Sequence, residues 1–201
     1  MFDNLRGDVA RVRDISLQRG WFQRFALTRT LRAFFHVGFP PIVAYRFGHW
    51  VEKKVRIPVV RQVLWIVANI FRRLTAIMTG VYIIQRAEIG PGLIIHTWYG
   101  VFIGAAKIGR NLTVGTGVLV SNGVISIGDD VWLGPGCKIM AGVKIGNNVV
   151  VMPNSLVLTD VPDDTTIVGV PARIKLRGGR PQRQASPPVQ GSQGAKRDGK
   201  A

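Results

Sequence analysis

Few side chains in this 201-residue chain are equipped for chemistry, and their scarcity narrows the options. There are three histidines and one cysteine. His96 interrupts the nearly uncharged stretch AEIGPGLIIHTWYGVFIG, residues 87–104. An imidazole with an ordinary pKa of about 6.5 is mostly free base at neutral pH, so it can accept a proton and return it. If Ile95 points into a strand-built core, His96 points out of it, toward solvent or a neighbour. The spacing alone also leaves open a surface histidine with no task. His36 and His49 fall on apolar helical stretches and read as packing residues. Cys137 occupies an inward repeat position and reads as a small core residue rather than a nucleophile. A single cysteine permits no intrachain disulfide. A metal centre needs several converging ligands and the repeat region offers one histidine, so no metal is expected.

His96 lies in a segment with an unusual period. From Ile83 onward an aliphatic residue recurs at Ile83, Ile89, Ile95, Val101, Ile108, Val114, Val120, Ile127, Leu133, Ile139, Ile145, Val151 and Val157. Every step is six residues except 101 to 108 and 120 to 127, which are seven. Four positions after many of them stands a small or branched residue, among them Ala87, Val118, Val131, Cys137, Val143, Val149 and Ser155. A helix repeats every 3.6 residues and cannot hold a six-residue period on one face. Three six-residue sides per turn can, and stacked turns then share one continuous core. The expected fold is mainly β, a left-handed parallel β-helix over residues 79–174, with glycines at its corners.

The flanks differ in composition. Residues 1–80 hold 14 Lys+Arg against 4 Asp+Glu, residues 81–174 hold 6 against 6, and residues 175–201 hold 7 against 1. Residues 1–78 read as a basic α-helical segment, with helical spacing from Phe22, a break at Pro40-Pro41, a second helix over 42–55 and a third after Pro58. The uncharged run from Gln62 to Phe71 is about half of what a bilayer span needs, so a transmembrane helix is not expected. Packing on a partner helix and lying in a membrane interface both remain open. The basic flanks favour contact with an anionic membrane surface over nucleic acid, for which no motif is present. Residues 175–201 read as a disordered basic tail. The N-terminus lacks a signal-peptide apolar core, so a cytoplasmic location is expected, peripheral at the inner membrane face.

Several stretches together resemble the hexapeptide-repeat acyltransferases, and among them the serine acetyltransferases and their relatives in polysaccharide biosynthesis. These are MFDNLRGDVARVR at the start, AYRFGHW in the helical segment, TGVYIIQRAEIGPGLIIH leading into the repeats and DDTTIVGVPARI at their end. The resemblance implies a homotrimer, with a dimer of trimers as a further option, that uses acetyl-CoA at sites between neighbouring prisms. It assigns His96 as the general base that takes a proton from an acceptor hydroxyl as the oxygen attacks the thioester. Two departures stand out. The family's histidine sits two places after the inward aliphatic, where strict register here puts Thr97. The acid that orients it corresponds to Tyr82, so Thr97 and Tyr82 are auxiliary candidates.

The same resemblance places the pantetheine arm along Gly134, Pro135, Gly136 and Pro153, with Arg173 available to a phosphate. The loop that carries the family's second histidine and serine-contacting arginine is absent, because VSNGVISIG passes directly from Val120 to Ile127. A small zwitterion needs paired charges, so the expectation is a glycan acceptor. Serine O-acetylation is the alternative, and a catalytically inactive trimeric scaffold is the alternative of another class.

Overall fold

The computed structural model describes residues 2–17, 39–97 and 99–177. Among the described residues three helices come first, α1 (Phe2–Leu17), α2 (Phe39–Lys54) and α3 (Pro58–Thr79). Gly80 then adopts a left-handed φ of 63° and its N–H closes α3 on the Ala76 carbonyl. The chain turns there into a three-walled coil, because a residue free of Cβ crowding can take that angle.

Wall A stacks β1 (Val81–Ile83), β4 (Val101–Ile103), β7 (Leu119–Val120), β10 (Lys138–Ile139) and β13 (Leu156–Val157). Wall B stacks β2 (Glu88–Ile89), β5 (Lys107–Ile108), β8 (Ser126–Ile127) and β11 (Lys144–Ile145). Wall C stacks β3 (Ile94–Ile95), β6 (Thr113–Val114), β9 (Trp132–Leu133), β12 (Val150–Val151) and β14 (Thr165–Gly169), and is closed by β15 (Ala172–Arg177). All pairings are parallel except β14 with β15. The result is the left-handed β-helix that the hexad period implies. Its core is one column of buried aliphatics, among them Ile89, Ile95, Ile103, Val114, Leu133, Ile139 and Val151. The four-after positions Ala87, Val118, Val131, Cys137, Val143, Val149 and Ser155 are buried where the walls meet.

The register corrects the expected repeat at one place. Val101 pairs with Val81, while Ile103 pairs with Ile83 and with Val120. Val101 therefore belongs to the corner column with Val118 rather than to the wall column. From Ile95 to Ile103 the step is eight residues, and from Ile103 to Ile108 it is five. Both Val101 and Ile103 are buried, so a period read from aliphatics alone does not separate them. The consequence is a corner two residues longer than a regular one, and it is the corner that carries His96. The seven-residue step from Val120 to Ile127 is present as expected, absorbed by Gly123 at φ 86°.

Further points concern the ends. The second helix begins at Phe39 rather than at 42, with Pro40 and Pro41 in its first turn, where a missing N–H costs nothing. The third runs to Thr79, close to the expected end of the helical segment at 78. Residues 175–177, expected in the tail, belong instead to β15, which runs to Arg177 by pairing with Thr165 and Thr166. The helical spacing from Phe22, with His36, and the remainder of the tail lie outside the described residues.

Candidate functional site

The first coil has no coil above it, so its upward-facing backbone groups need other partners. Helices α1 and α2 supply them. Asp8 is fully buried and accepts from the N–H groups of Gly92 at 2.7 Å and Leu93 at 2.8 Å. Arg46 Nε donates to the same carboxylate at 3.0 Å, and its other nitrogens donate to the carbonyls of Ile89 and Gly90. Arg11 donates to the Leu112 carbonyl and to Thr113 Oγ1 one coil below. Tyr45 donates its hydroxyl proton to the Ala87 carbonyl and accepts from Ile89 N–H. Burial pushes the Tyr45 phenol up to about 12. This network fixes residues 87–93, and β3 and His96 follow directly. Sequence reasoning missed Asp8, Arg11 and Arg46 as positioning residues. Asp8 and Arg46 fall within the two N-terminal stretches that carried the family resemblance, which was the available signal.

His96 stands at the edge where wall C turns into wall A. Its N–H donates to the Val114 carbonyl at 3.0 Å, and its side chain is exposed. Register places Gly115 beneath it, then Gly134, then Met152, each with its N–H on the carbonyl of the next coil. The second position of this edge reads Thr97, Thr116, Pro135 and Pro153, and the hydroxyls of Thr97 and Thr116 share a hydrogen bond. The edge turns on left-handed residues, Gly100 (φ 63°), Gly117 (66°), Gly136 (71°) and Asn154 (56°). A Cβ on Gly115 would lie 2.7 Å from Pro135 N, and one on Gly134 would lie 2.7 Å from Pro153 N. These two glycines are required by the stacking itself. Their lack of side chains leaves a lane of bare backbone below the imidazole. With walls spaced about 4.8 Å per coil, Gly134 lies about 10 Å below His96.

The structure thus gathers His96, Thr97, Gly134, Pro135, Gly136 and Pro153 on one edge. Arg173 on β15 is opposite Val168, the residue after inward Ile167, and so lies exposed at the foot of wall C, beyond that edge's last rung. Tyr82 is on wall A, its ring stacked on Phe102 at 5.7 Å with the Arg72 guanidinium 5.6 Å from its centre. That ring is engaged in packing. His49 also packs, against the Tyr45 ring, with Nδ1 3.4 Å from the Gln85 carbonyl. Cys137 is buried and its thiol is pushed up to about 12 by burial, consistent with a core role. Among the described residues no three His, Cys, Asp or Glu side chains converge.

A cleft of about 470 Å³ opens between α2 and wall B and is lined by His49, Lys53, Glu88, Lys107 and Ser126. Lys53 and Glu88 bridge across it at 2.7 Å, and that contact holds the Glu88 carboxyl below its usual range. It is on a different wall from His96.

The coil and its edge define a class, the transferases built on hexapeptide repeats, and residues 124–159 match the bacterial transferase hexapeptide (six repeats) family. The chain is 33% identical over 150 residues to the serine acetyltransferase of Synechococcus elongatus, covering 71% of this chain and 58% of that protein. It is 30% identical over 166 residues to the serine acetyltransferase of Bacillus subtilis, covering 76% of this chain and 73% of the relative. The crystal structure of a Brucella abortus serine acetyltransferase in complex with coenzyme A superposes with a TM-score of 0.68 at 26% identity, over 88% of this chain and 68% of that one. The chain belongs to the hexapeptide-repeat acyltransferases, in their serine acetyltransferase-like branch.

Proposed function

We propose that this chain is an acetyl-CoA-dependent O-acetyltransferase whose acceptor is serine, working as a homotrimer at the edge that carries His96. The names of the relatives support serine as acceptor, in preference to the glycan that the missing loop suggested. The observation that carries the reading is the combination of an exposed imidazole with the bare backbone lane beneath it. Gly115 and Gly134 are held bare by the backbone stacked against them, and the side-chain-free surface they leave on this edge suits an extended pantetheine arm. Pro135 and Pro153 bring no N–H of their own, and the N–H groups of Gly134 and Gly136 are spent on the carbonyls of Val151 and Thr116, so the arm's amides would donate to backbone carbonyls of this edge. Arg173 is suited to a phosphate at the far end.

In this reading His96 accepts the hydroxyl proton as the acceptor oxygen attacks the thioester carbonyl. The tetrahedral centre collapses with cleavage of the C–S bond, and the imidazolium returns its proton to the departing thiolate. The products are an O-acetyl ester and free CoA. Thr97 is an auxiliary through its tie to Thr116, which holds the long corner in place. Assembly as a dimer of trimers and a cytoplasmic location belong to the same proposal.

A glycan acceptor is the second reading, favoured by one observation. The turn from Ser121 to Ser126 holds no charged side chain, and the rung of the family's acid is occupied by packed Tyr82. CoA release from acetyl-CoA, followed with a thiol reagent, separates the two. Release that requires L-serine supports the first reading, and release only with an oligosaccharide supports the second. No release with either overturns the enzyme assignment in favour of a scaffold.

A further inference from the structure

Helix α3 is built inside out. The residues it turns inward include Ala68, Thr75 and Thr79, all buried, with Asn69 and Arg72 half-buried beside them. Its outward face presents Val59, Val63, Ile66, Ile70, Leu74 and Ile77, which are between 48% and 81% exposed. Their spacing of three and four residues puts them on one stripe along the helix. Monomeric proteins rarely leave so long an apolar stripe uncovered, so it marks an interaction surface. No helix among the described residues is long and apolar enough to cross a membrane.

Charge identifies the occupant. Residues 53–80 hold six Lys+Arg and no Asp or Glu. Lys54, Arg56 and Arg61 are exposed around the N-terminal end of α3, beside exposed Glu52 and Lys53, which is paired with Glu88, and Arg73 is exposed near its C-terminal end. Packing two copies of this stripe together would bring basic groups against one another with no acid within the segment to relieve them. A bilayer leaflet with anionic headgroups offers the complementary charge together with an apolar layer for the stripe.

We propose that α3 lies in the interface of an anionic membrane, with its Val59–Ile77 stripe buried among the acyl chains and the flanking Lys and Arg on lipid phosphates. This placement is independent of the acetyl-transfer reading and is tested without it. The full chain is floated with vesicles of phosphatidylcholine containing phosphatidylglycerol, and with phosphatidylcholine alone. The double variant Ile70→Glu, Ile77→Glu is floated in parallel, and both proteins are sized by light scattering. Both residues are exposed, so the variant retains its core. Wild type should float with the anionic vesicles and bind them about tenfold more than neutral ones, and the variant should lose about tenfold in binding at unchanged size. The proposal is overturned if wild type stays unbound, or if the variant floats as well as wild type, which would assign binding to the basic ends. It is equally overturned if the variant falls to a smaller oligomer, which would make the stripe a contact between copies.

Discussion

Two edges of the same prism turn the chain by the same angle with opposite use of side chains. Where wall B meets wall C, the left-handed positions are Gly92 in the first coil, then Asn111, Asp130, Asn148 and Asp164. The Asn and Asp side chains are spent on the stack: Asn111 Nδ2 donates to Asp130 at 3.0 Å and Asn148 Nδ2 to Asp164 at 2.7 Å. The preceding positions do the same, with Arg110 N–H on Asp129 at 2.7 Å and Asn147 N–H on Asp163 at 2.7 Å. Those contacts from Arg110 hold the Asp129 carboxyl below its usual range. Where wall C meets wall A, the left-handed positions are Gly100, Gly117, Gly136 and Asn154, and a single imidazole projects above two glycines. Asn and Asp tolerate the left-handed angle and glycine adopts it freely, so either solution builds a corner. Both edges carry bare glycines after the inward aliphatic, Gly90, Gly109, Gly128 and Gly146 on one and Gly115 and Gly134 on the other; the first adds side-chain hydrogen bonds to its corners, and the second adds His96.

Perturbing each edge should therefore give different losses. Replacing His96 by alanine should lower kcat about 10²–10⁴-fold while leaving thermal unfolding in place, because the side chain is exposed and its backbone bond survives. Replacing Asp8 by alanine removes the buried partner of Arg46 and two backbone acceptors above the first coil. A loss of about 3–5 kcal/mol in denaturant unfolding is expected, since a guanidinium is left buried and unpaired. Gly134→Ala forces a Cβ to 2.7 Å from Pro153 N, with an expected cost of about 1–3 kcal/mol and a raised KM for acetyl-CoA. Asn148→Ala on the other edge should cost about 0.5–1.5 kcal/mol and leave both kinetic constants unchanged. A comparable kinetic defect from Asn148→Ala would erase the distinction between the edges.

Alkaline pH acts on the cap above the first coil instead of on either edge. The Tyr45 phenol titrates near 10.0 when exposed and at about 12 in the fold, because burial opposes the phenolate. The unfolded chain releases that proton first, so this contribution is intact below pH 10 and declines as pH rises toward 12. Tyr45→Phe should flatten that decline in pH-dependent unfolding.

The wall residues were legible because a six-residue period has few physical explanations, and each inward aliphatic reports its own position. The two residues added at the His96 corner were not, since Val101 and Ile103 are both aliphatic and both buried. Only the strand pairing separates a wall from a corner. The Asp8–Arg46 pair was hidden for another reason: its members are 38 residues apart, and nothing in either segment's composition announces a buried ion pair. Gly134, Pro135, Gly136 and Pro153 were named through family resemblance, and Gly115 was not. The necessity of the two glycines Gly115 and Gly134 comes from stacking distances that no sequence displays.

A structure of the protein with CoA bound tests the assignment of His96 most directly. The account expects the thiol within about 3.5 Å of the His96 ring, with the pantetheine arm on the backbone of Gly115 and Gly134. A thiol bound instead in the cleft of His49, Lys53 and Glu88, with the glycine edge empty or packed against another subunit, would contradict it.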